Sequence, residues 1–515
     1  MPWPARAGFG SCVPGTAASA VIIARCPERR APPGPIGWLR ACGGLHRVGA
    51  LTKSIPWLTI HELVMALSLL VYIVTTHAMR QRRHPTAAIA WVLFILLVPY
   101  LALPAFLLFG SRKRVTRPPR PAPPPAGAPA PPWAADLAVA LGQPQPAGFH
   151  ALSVHRDGAA ALTALWDVLD GAEHSIDVCT FILGRDDIGR AVIARLCAKA
   201  RAGVRVRLML DGVGSLMAGR PRLKSLTEAG GSFRLFVPPL SPTVRGRSNL
   251  RDHRKLLITD AAHATRRLWC GGRNLAAEYF TGTTSRAAWR DLSFDLGGDV
   301  VRQASALFEH DWAFAGGGRR ARAHAAHDED SEATLATGAL AQLIASGPDQ
   351  ADDTIYALLL TAAHRARQSI ALVTPYFVPD SGLLLALCLA ARRGVRVDLL
   401  LPRRSNHPLS DIARNRALRS LAEAGGQIWL APQMLHAKLV VIDDTLALAG
   451  SANLDSRSLF LNYELMLAFH GPTEVVRWQH WFDIERASAS RFVARHPGLW
   501  RDLAEGAVIW AGFQL

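Results

Sequence analysis

Two stretches of the chain read as copies of one another, and this duplication limits the fold more than any other feature. GVRVRLMLD from Gly203 returns as GVRVDLLLP from Gly394, and LTEAGGSFRLF from Leu226 returns as LAEAGGQIWLA from Leu421. Each half follows one plan: an apolar strand (HSIDVCTFIL; QSIALVTPYFV), a helix (GRAVIARLCAKARA; GLLLALCLAARR), the GVRV strand, a second helix and a further strand. Such alternation predicts an α/β fold with mixed or parallel sheets, one per half, and helices packed on their faces.

At matching places in the two halves stands the element His-x-Lys-x4-Asp: His253, Lys255 and Asp260, then His436, Lys438 and Asp443. HRKLLITD and HAKLVVIDD read as strands, and the period of two puts His and Lys on one face, with the residue between them on the other. Downstream lie Gly271-Gly272-Arg273-Asn274 and Gly450-Ser451-Ala452-Asn453. Glycine there allows close backbone approach, and Asn274, Ser451 and Asn453 supply hydrogen-bonding side chains. The set suits a phosphodiester. One histidine attacks phosphorus, the lysines and asparagines neutralise its oxygens, and the other histidine protonates the leaving oxygen, with no metal or other cofactor. Asp291 and Glu464 are candidates for orienting the rings. A carboxylate aimed at the phosphate would repel it, so Asp260 and Asp443, though part of the motif, read as structural supports. Asp211 either lines the cleft or forms a turn, and Tyr376, Phe377 and Pro379 either border a lipid entrance or fill core.

Two apolar runs precede the repeats, Leu58 to Met79 and Thr86 to Phe109. As helices they would measure about 33 to 36 Å against a hydrocarbon core of ~30 Å. Neither has a polar face, so a two-helix transmembrane hairpin over 56–110 is expected, with Pro99 and Pro104 as tolerated kinks. The hairpin's short turn, RQRRHP, and the segment after it are both basic, so the charge rule leaves its orientation open. Residues 1–55, rich in Gly, Pro, Ala and Arg, read as a mobile tail, and the Pro/Ala-rich residues 111–148 as a semi-rigid linker. The first repeat is then expected over 149–335 and the second over 336–515.

Lys plus Arg number 58 against 40 Asp plus Glu, a formal charge of +18 that favours an anionic partner. Nucleic acid and an anionic membrane both qualify, and the apolar runs favour lipid over nucleic acid. The seven cysteines form no CxxC pair or regular framework, so neither a zinc site nor a disulfide scaffold is implied.

The twin motifs resemble those of the phospholipase D superfamily. NLRDHRKLLITD, LMLDGVGS, TPYFVPD, WRDLSFDL and GSANLDSRSLFLNYE, behind a two-helix anchor, are similar to bacterial cardiolipin synthases over about residues 56–515. The resemblance implies two phospholipase D-like α/β repeats forming one pseudo-symmetric catalytic unit in the bacterial inner membrane. It also implies a phosphohistidine intermediate, with His253 as nucleophile and His436 as acid, and transfer of a phosphatidyl group between two phosphatidylglycerols to give cardiolipin and glycerol. Another phosphatidyl donor, or water or an alcohol as acceptor, would leave every motif unchanged, and a nucleic-acid phosphodiesterase is the rival from another class. Two departures stand out. Ten residues separate Asp260 from Gly271 where six separate Asp443 from Gly450, and Gly272 replaces a serine, which removes a donor from the first half-site.

Overall fold

The computed structural model describes residues 55–78, 85–110, 132–219, 223–238, 249–284, 286–316, 339–350 and 352–511. The expected tail and most of the expected linker lie outside these residues. Contacts divide the chain into Met1–Ile60 and His61–Leu515, and of the first unit only the opening of one helix is described.

In the first half the strands are β1 Ala147–Val154, β2 Ser175–Thr180, β3 Arg205–Leu210, β4 Ser232–Leu235, β5 Arg251–Asp252, β6 Leu256–Thr259, β7 Arg267–Gly271 and β8 Ser293–Gly298. The second half holds β9 Leu340–Ser346, β10 Ser369–Val373, β11 Phe377–Val378, β12 Arg396–Pro402 and β13 Gln427–Ala431. It continues with β14 Leu439–Ile442, β15 Leu446–Gly450, β16 Leu454–Asp455, β17 Asn462–Phe469 and β18 Ser490–Arg491.

The halves share one sheet rather than carrying one each. Its order is β18-β13-β12-β10-β14-β15-β17-β9-β1-β8-β7-β6-β2-β3-β4. Omitting the edge strand β18, the order reads the same outward from the β9–β1 junction, each strand matched by its counterpart in the other repeat. The junction is antiparallel, Ala147 opposite Ala341 and Gly148 opposite Leu340. An open edge strand in each repeat would expose a row of unpaired amides, and joining the two edges removes both.

Within each repeat β2–β3–β4 and β10–β12–β13 are parallel, while β6 and β14 run antiparallel to β2 and β10. Every residue of β6 (LLIT) and β14 (LVVI) is buried, as befits strands covered on both faces. One apolar cluster belongs to both halves and brings together Phe294, Phe308, Phe469, Trp478 and Phe482. The opposite face carries a separate cluster for each repeat. The helix that follows β2 and the one that follows β11 are capped alike: Asp186 accepts from Gly189 N at 3.0 Å, and Asp380 from Leu383 N at 3.1 Å.

The expected linker is shorter than its composition implies. The helix Trp133–Ala140 buries Ala134 and Ala138 in the second repeat's cluster. Gln143 then accepts from Ala345 N at 2.8 Å. Residues from 133 on thus belong to the packed unit, where a short apolar helix stands in place of the expected linker.

The apolar runs form α1 Ile55–Ala78, α2 Pro85–Leu97 and α3 Pro99–Phe109. Among the described residues α1 is the one helix long and apolar enough to cross a membrane. The second run is not one helix. Val98 leaves helical geometry (φ −142°, ψ 64°) because proline disfavours the helical conformation of the residue before it, whereas Pro104 is accommodated inside α3. Tyr72 of α1 packs against Phe106 of α3 with ring centroids 5.1 Å apart, and Leu63, Leu67, Leu97 and Leu101 lie exposed on the outside.

Candidate active site

The chemistry-bearing residues sit where β6 and β14 begin. Because these strands run antiparallel to β2 and β10, their first residues lie at one end of the sheet and their last at the other. Lys255 and Asp260 stand five steps apart along the strand, about 16 Å. Asp260 and Asp443 are therefore remote from anything Lys255 or Lys438 touches. Each has positive φ, 48° and 49°, and folds its carboxylate back onto backbone amides. Asp260 accepts from Glu173, His174 and Ser175 N at 3.0, 2.7 and 2.8 Å. Asp443 accepts from Arg367, Gln368 and Ser369 N at 3.0, 2.8 and 2.8 Å. Burial alone would raise the Asp260 carboxyl, yet these amides hold it below the ordinary value. Both carboxylates thus bond the amides at the starts of β2 and β10.

The two repeats exchange carboxylates at the other end of the sheet. Glu464, in β17, lies 3.0 Å through each oxygen from Nδ1 of His253, and Asp291, just before β8, lies 2.7 Å from Nδ1 of His436. Backbone bonds cross in the same way, from His253 N to Tyr463 O at 2.9 Å and from His436 N to Arg290 O at 2.6 Å. Each histidine is thus held by the other repeat at backbone and ring together. With Nδ1–H donating to a carboxylate, Nε2 keeps its lone pair.

Each carboxylate is positioned by its own repeat, in two different ways. Ser451 Oγ donates to Glu464 at 2.6 Å and accepts from Leu465 N at 2.9 Å, and Asn462 donates to the other Glu464 oxygen at 3.2 Å. Ser451, expected at the phosphate, is committed to the carboxylate instead. In the first repeat the shorter Asp291 sits closer to its strand, and a Cβ added at Gly272 would stand 2.2 Å from its Oδ1. Serine is absent there because the carboxylate occupies its place. Leu292 N supplies the bond that a serine would have made, 2.7 Å to Asp291 Oδ1.

Asn274 donates to Tyr279 OH at 2.7 Å and accepts from Ile182 N at 3.3 Å. Asn453 Oδ1 is buried with no hydrogen-bond partner among the described residues. Lys255 Nζ reaches His253 O at 2.6 Å. Lys438 Nζ lies against the His436 ring, 2.8 Å from Nδ1 and 3.0 Å from Nε2.

Electrostatics place both half-sites in one field. Burial lowers His253 to about 4 against the opposing pull of Glu464, and burial with the Lys438 charge lowers His436 to about 3, so both rings are neutral near neutrality. Burial also lowers Lys255 to about 8 and Lys438 to about 7, although Asp291 and Glu464 oppose it at both. Burial would raise Asp291, but His436, then Lys438 and Arg273, bring it down to about 2. Such a site holds cations at a desolvation cost that an anionic ligand relieves.

Aromatic residues outside the His-x-Lys elements shape the cleft. Phe181 meets the His253 ring edge-on at 5.3 Å. Tyr279 and Trp289 flank His436 at 5.2 and 5.6 Å, with Tyr376 at 6.5 Å. Phe377, by contrast, is core. Asp211 caps the following turn through Val213 and Gly214 N, 2.9 Å each, as a turn-forming Asp-Gly does. Trp289 and Asn462 lie in stretches (WRDLSFDL, LNYE) whose acidic residues were readable; their neighbours' roles depend on the fold.

The family profile described as cardiolipin synthase, phospholipase D-like domain, matches residues 165–312 and 359–485. The chain belongs to this family. A second profile, phospholipase D-nuclease N-terminal, matches residues 64–111. A cardiolipin synthase of Bacillus cereus is 34% identical over 60% of this chain and 61% of its own length, so the chain spans less than two thirds of that relative. Cardiolipin synthase A of Pseudomonas putida is 30% identical over 78% of this chain and 86% of its own length. In fold, the chain is similar to the phosphatidylserine synthase of Haemophilus influenzae, with a TM-score of 0.56, 15% identity, and coverage of 73% of this chain and 98% of that one.

Proposed function

We propose that this chain is a cardiolipin synthase that moves a phosphatidyl group from one phosphatidylglycerol to another. The observation that carries the reading is the crossed pairing of His253 with Glu464 and His436 with Asp291, which supplies two neutral imidazoles held by carboxylates beside two buried lysines. His253 is assigned as nucleophile because its side chain is 12% exposed against 5% for His436.

His253 Nε2 attacks the phosphorus of the first lipid. The bond from phosphorus to the glycerol oxygen breaks, and that oxygen takes a proton from His436. Lys255, Lys438, Asn274 and Asn453 hold the equatorial oxygens as charge builds on them. A bound diester anion offsets the Lys438 charge that lowers His436, and so favours the protonated ring needed in this step. The hydroxyl of a second phosphatidylglycerol then attacks phosphorus and gives its proton to His436. The bond from phosphorus to nitrogen breaks, and cardiolipin leaves.

The substrate's acyl chains need a bilayer, and the apolar helices supply the matching anchor. In this reading α1 crosses the membrane, and α2 with α3 makes the return pass as a helix broken at Val98. Exposed Leu63, Leu67, Leu97 and Leu101 face lipid. The two repeats, 149–335 and 336–515, form one catalytic unit at the bacterial inner membrane.

The test is to incubate the purified full-length protein with labelled phosphatidylglycerol in mixed micelles and separate the products. Cardiolipin with an equivalent of free glycerol supports the reading, and phosphatidic acid alone replaces it with hydrolysis.

A further inference from the structure

A surface helix ordinarily turns its apolar face to the core and its charges to water. The helix Leu499–Ala511 does the reverse. Its acidic residues point inward, onto the helix Pro408–Glu423: Arg416 donates to Asp502 at 3.0 Å and Arg419 to Glu505 at 2.6 Å. Glu505 is buried, whereas Leu499, Trp500 and Leu503 turn outward, with Trp500 82% and Leu499 71% exposed among the described residues. Spacings of three and four place these three on one side of the helix. Single exposed apolar residues are ordinary, but a contiguous set that includes a tryptophan marks a surface that meets an apolar partner.

The face continues onto the neighbouring helix. Asp502 with Arg416 and Glu505 with Arg419 share one offset of 86 residues, so the two helices run side by side in the same direction, with Leu499 level with Ala413. Ile412 and Leu409 precede Arg416 on the same stripe, and both are exposed. Beyond Leu409 lies the cleft. His407, at the head of this helix, meets Tyr376 with ring centroids 5.2 Å apart. Tyr376 in turn donates to Asn406 Oδ1 at 2.6 Å and lies 6.5 Å from the His436 ring. The apolar face thus ends beside the histidine at which glycerol leaves and the second hydroxyl attacks.

Charge indicates what covers the face. Arg404 stands four residues before Pro408 and Arg495 four before Leu499, both exposed and ion-paired with no carboxylate among the described residues. A second copy of the chain docked through the same face would bring these like charges to one interface. An anionic phospholipid surface would neutralise them, and tryptophan and leucine suit its boundary layer.

We infer that the outward face of the helix Leu499–Ala511, together with Leu409 and Ile412, docks on an anionic phospholipid bilayer and turns the His436 side of the cleft toward the lipid. The inference rests on the proposed transfer between membrane lipids. By itself an anchor does not set which side of the catalytic unit meets the bilayer. This face sets it, so that an acceptor lipid reaches His436 without drawing its acyl chains through water.

The experiment gives the full-length enzyme two substrates. One is long-chain phosphatidylglycerol in the bilayer that holds the reconstituted enzyme; the other is dihexanoyl phosphatidylglycerol, dispersed below its micellar concentration, with the enzyme in detergent. Trp500→Ser combined with Leu503→Ser should lower the bilayer rate on the order of tenfold and leave the dispersed-lipid rate within about twofold, because only the bilayer needs the docking face. Arg404→Glu combined with Arg495→Glu should act on the bilayer rate in the same way, through repulsion from the anionic surface. Equal losses with both substrates, or no loss with either, overturn the inference. An unchanged ratio of the two rates, with the detergent-solubilised mass halved by Trp500→Ser and Leu503→Ser, assigns the face to a second copy and overturns it too. Should the double variant fail to fold in a thermal melt, Trp500→Ser alone decides by the same comparison. A wild-type enzyme that makes phosphatidic acid and no cardiolipin from either lipid refutes the synthase reading, while the ratio of its two rates still tests the docking face.

Discussion

Glu464 of the second repeat engages Nδ1 of His253 in the first with both carboxylate oxygens, each at 3.0 Å. The contact fixes the tautomer that leaves Nε2 free and stabilises positive charge on the ring once phosphorus is attached. Glu464→Gln keeps the shape and removes the charge. Its kcat should fall by ~10²–10⁴-fold, by analogy with other carboxylate-supported histidines, with little change in KM. Initial rates with phosphatidylglycerol check this, and a variant within threefold of wild type would dismiss the carboxylate's role.

The two histidines should fail differently. His253→Ala removes the attacking nitrogen, so labelled lipid should leave no acid-stable or base-stable label on the protein. His436→Asn keeps His253 and removes the proton donor, so a substrate with a good leaving group, such as a p-nitrophenyl phosphodiester, should still label the protein once and then stall. Rapid quench and mass spectrometry separate the cases. Labelling of the His253→Ala variant at His436 would reverse the assignment.

The sequence made the twin His-x-Lys faces legible because strand alternation is local: three consecutive residues suffice to place His253 and Lys255 together. The pairing that makes them chemical was not legible. His253 and Glu464 are 211 residues apart and His436 and Asp291 are 145 apart, and nothing local says that each ring is served by the opposite repeat. The β1–β9 junction that permits the exchange also turned two expected sheets into one. Ser451 read as a phosphate ligand because a serine beside a glycine turn commonly is one; its hydroxyl was already taken by a carboxylate thirteen residues on. Gly272, which read as a lost donor, is a space that Asp291 fills.

That compensation can be tested by exchange. Gly272→Ser places a side chain 2.2 Å from Asp291 Oδ1, so the carboxylate must move and His436 loses its partner. Asp291→Glu alone overfills the same space. Each single variant should lose activity by about tenfold or more, and the double variant, which copies the Ser451–Glu464 arrangement, should recover part of the loss. Losses that multiply in the double variant would refute the coupling.

Asp443 should matter for stability, not for the chemical step. Asp443→Ala removes the acceptor for three amides and leaves alanine at φ 49°, where Asp and Asn are tolerated and alanine is strained. A loss of about 2–4 kcal/mol is expected, with a smaller loss for Asp443→Asn, which keeps the local geometry. Thermal melts measure the stability, and active-site titration at low temperature measures the rate per folded molecule. A collapse of that rate in a fully folded Asp443→Asn variant would return the residue to the catalytic set.

Substrate capture should weaken as pH rises from about 7 to 8, the values to which burial lowers Lys438 and Lys255. The sign follows from the charge. A lysine with a lowered value sheds its proton sooner, the diester anion binds the protonated form, and binding therefore draws a proton back onto the site. Above these values kcat/KM should decline by up to about tenfold per pH unit for each lysine that must be recharged. The histidines, lowered to about 4 and 3, place no inflection in this range for the free enzyme, so a bend between pH 7 and 8 reports the lysines. Lys438→Arg keeps its charge throughout, so its decline should begin later and reflect Lys255 alone, at a lower overall rate because the planar group replaces a compact ammonium. A wild-type profile that stays flat to pH 9 would mean that neither ammonium is the group that captures the phosphate.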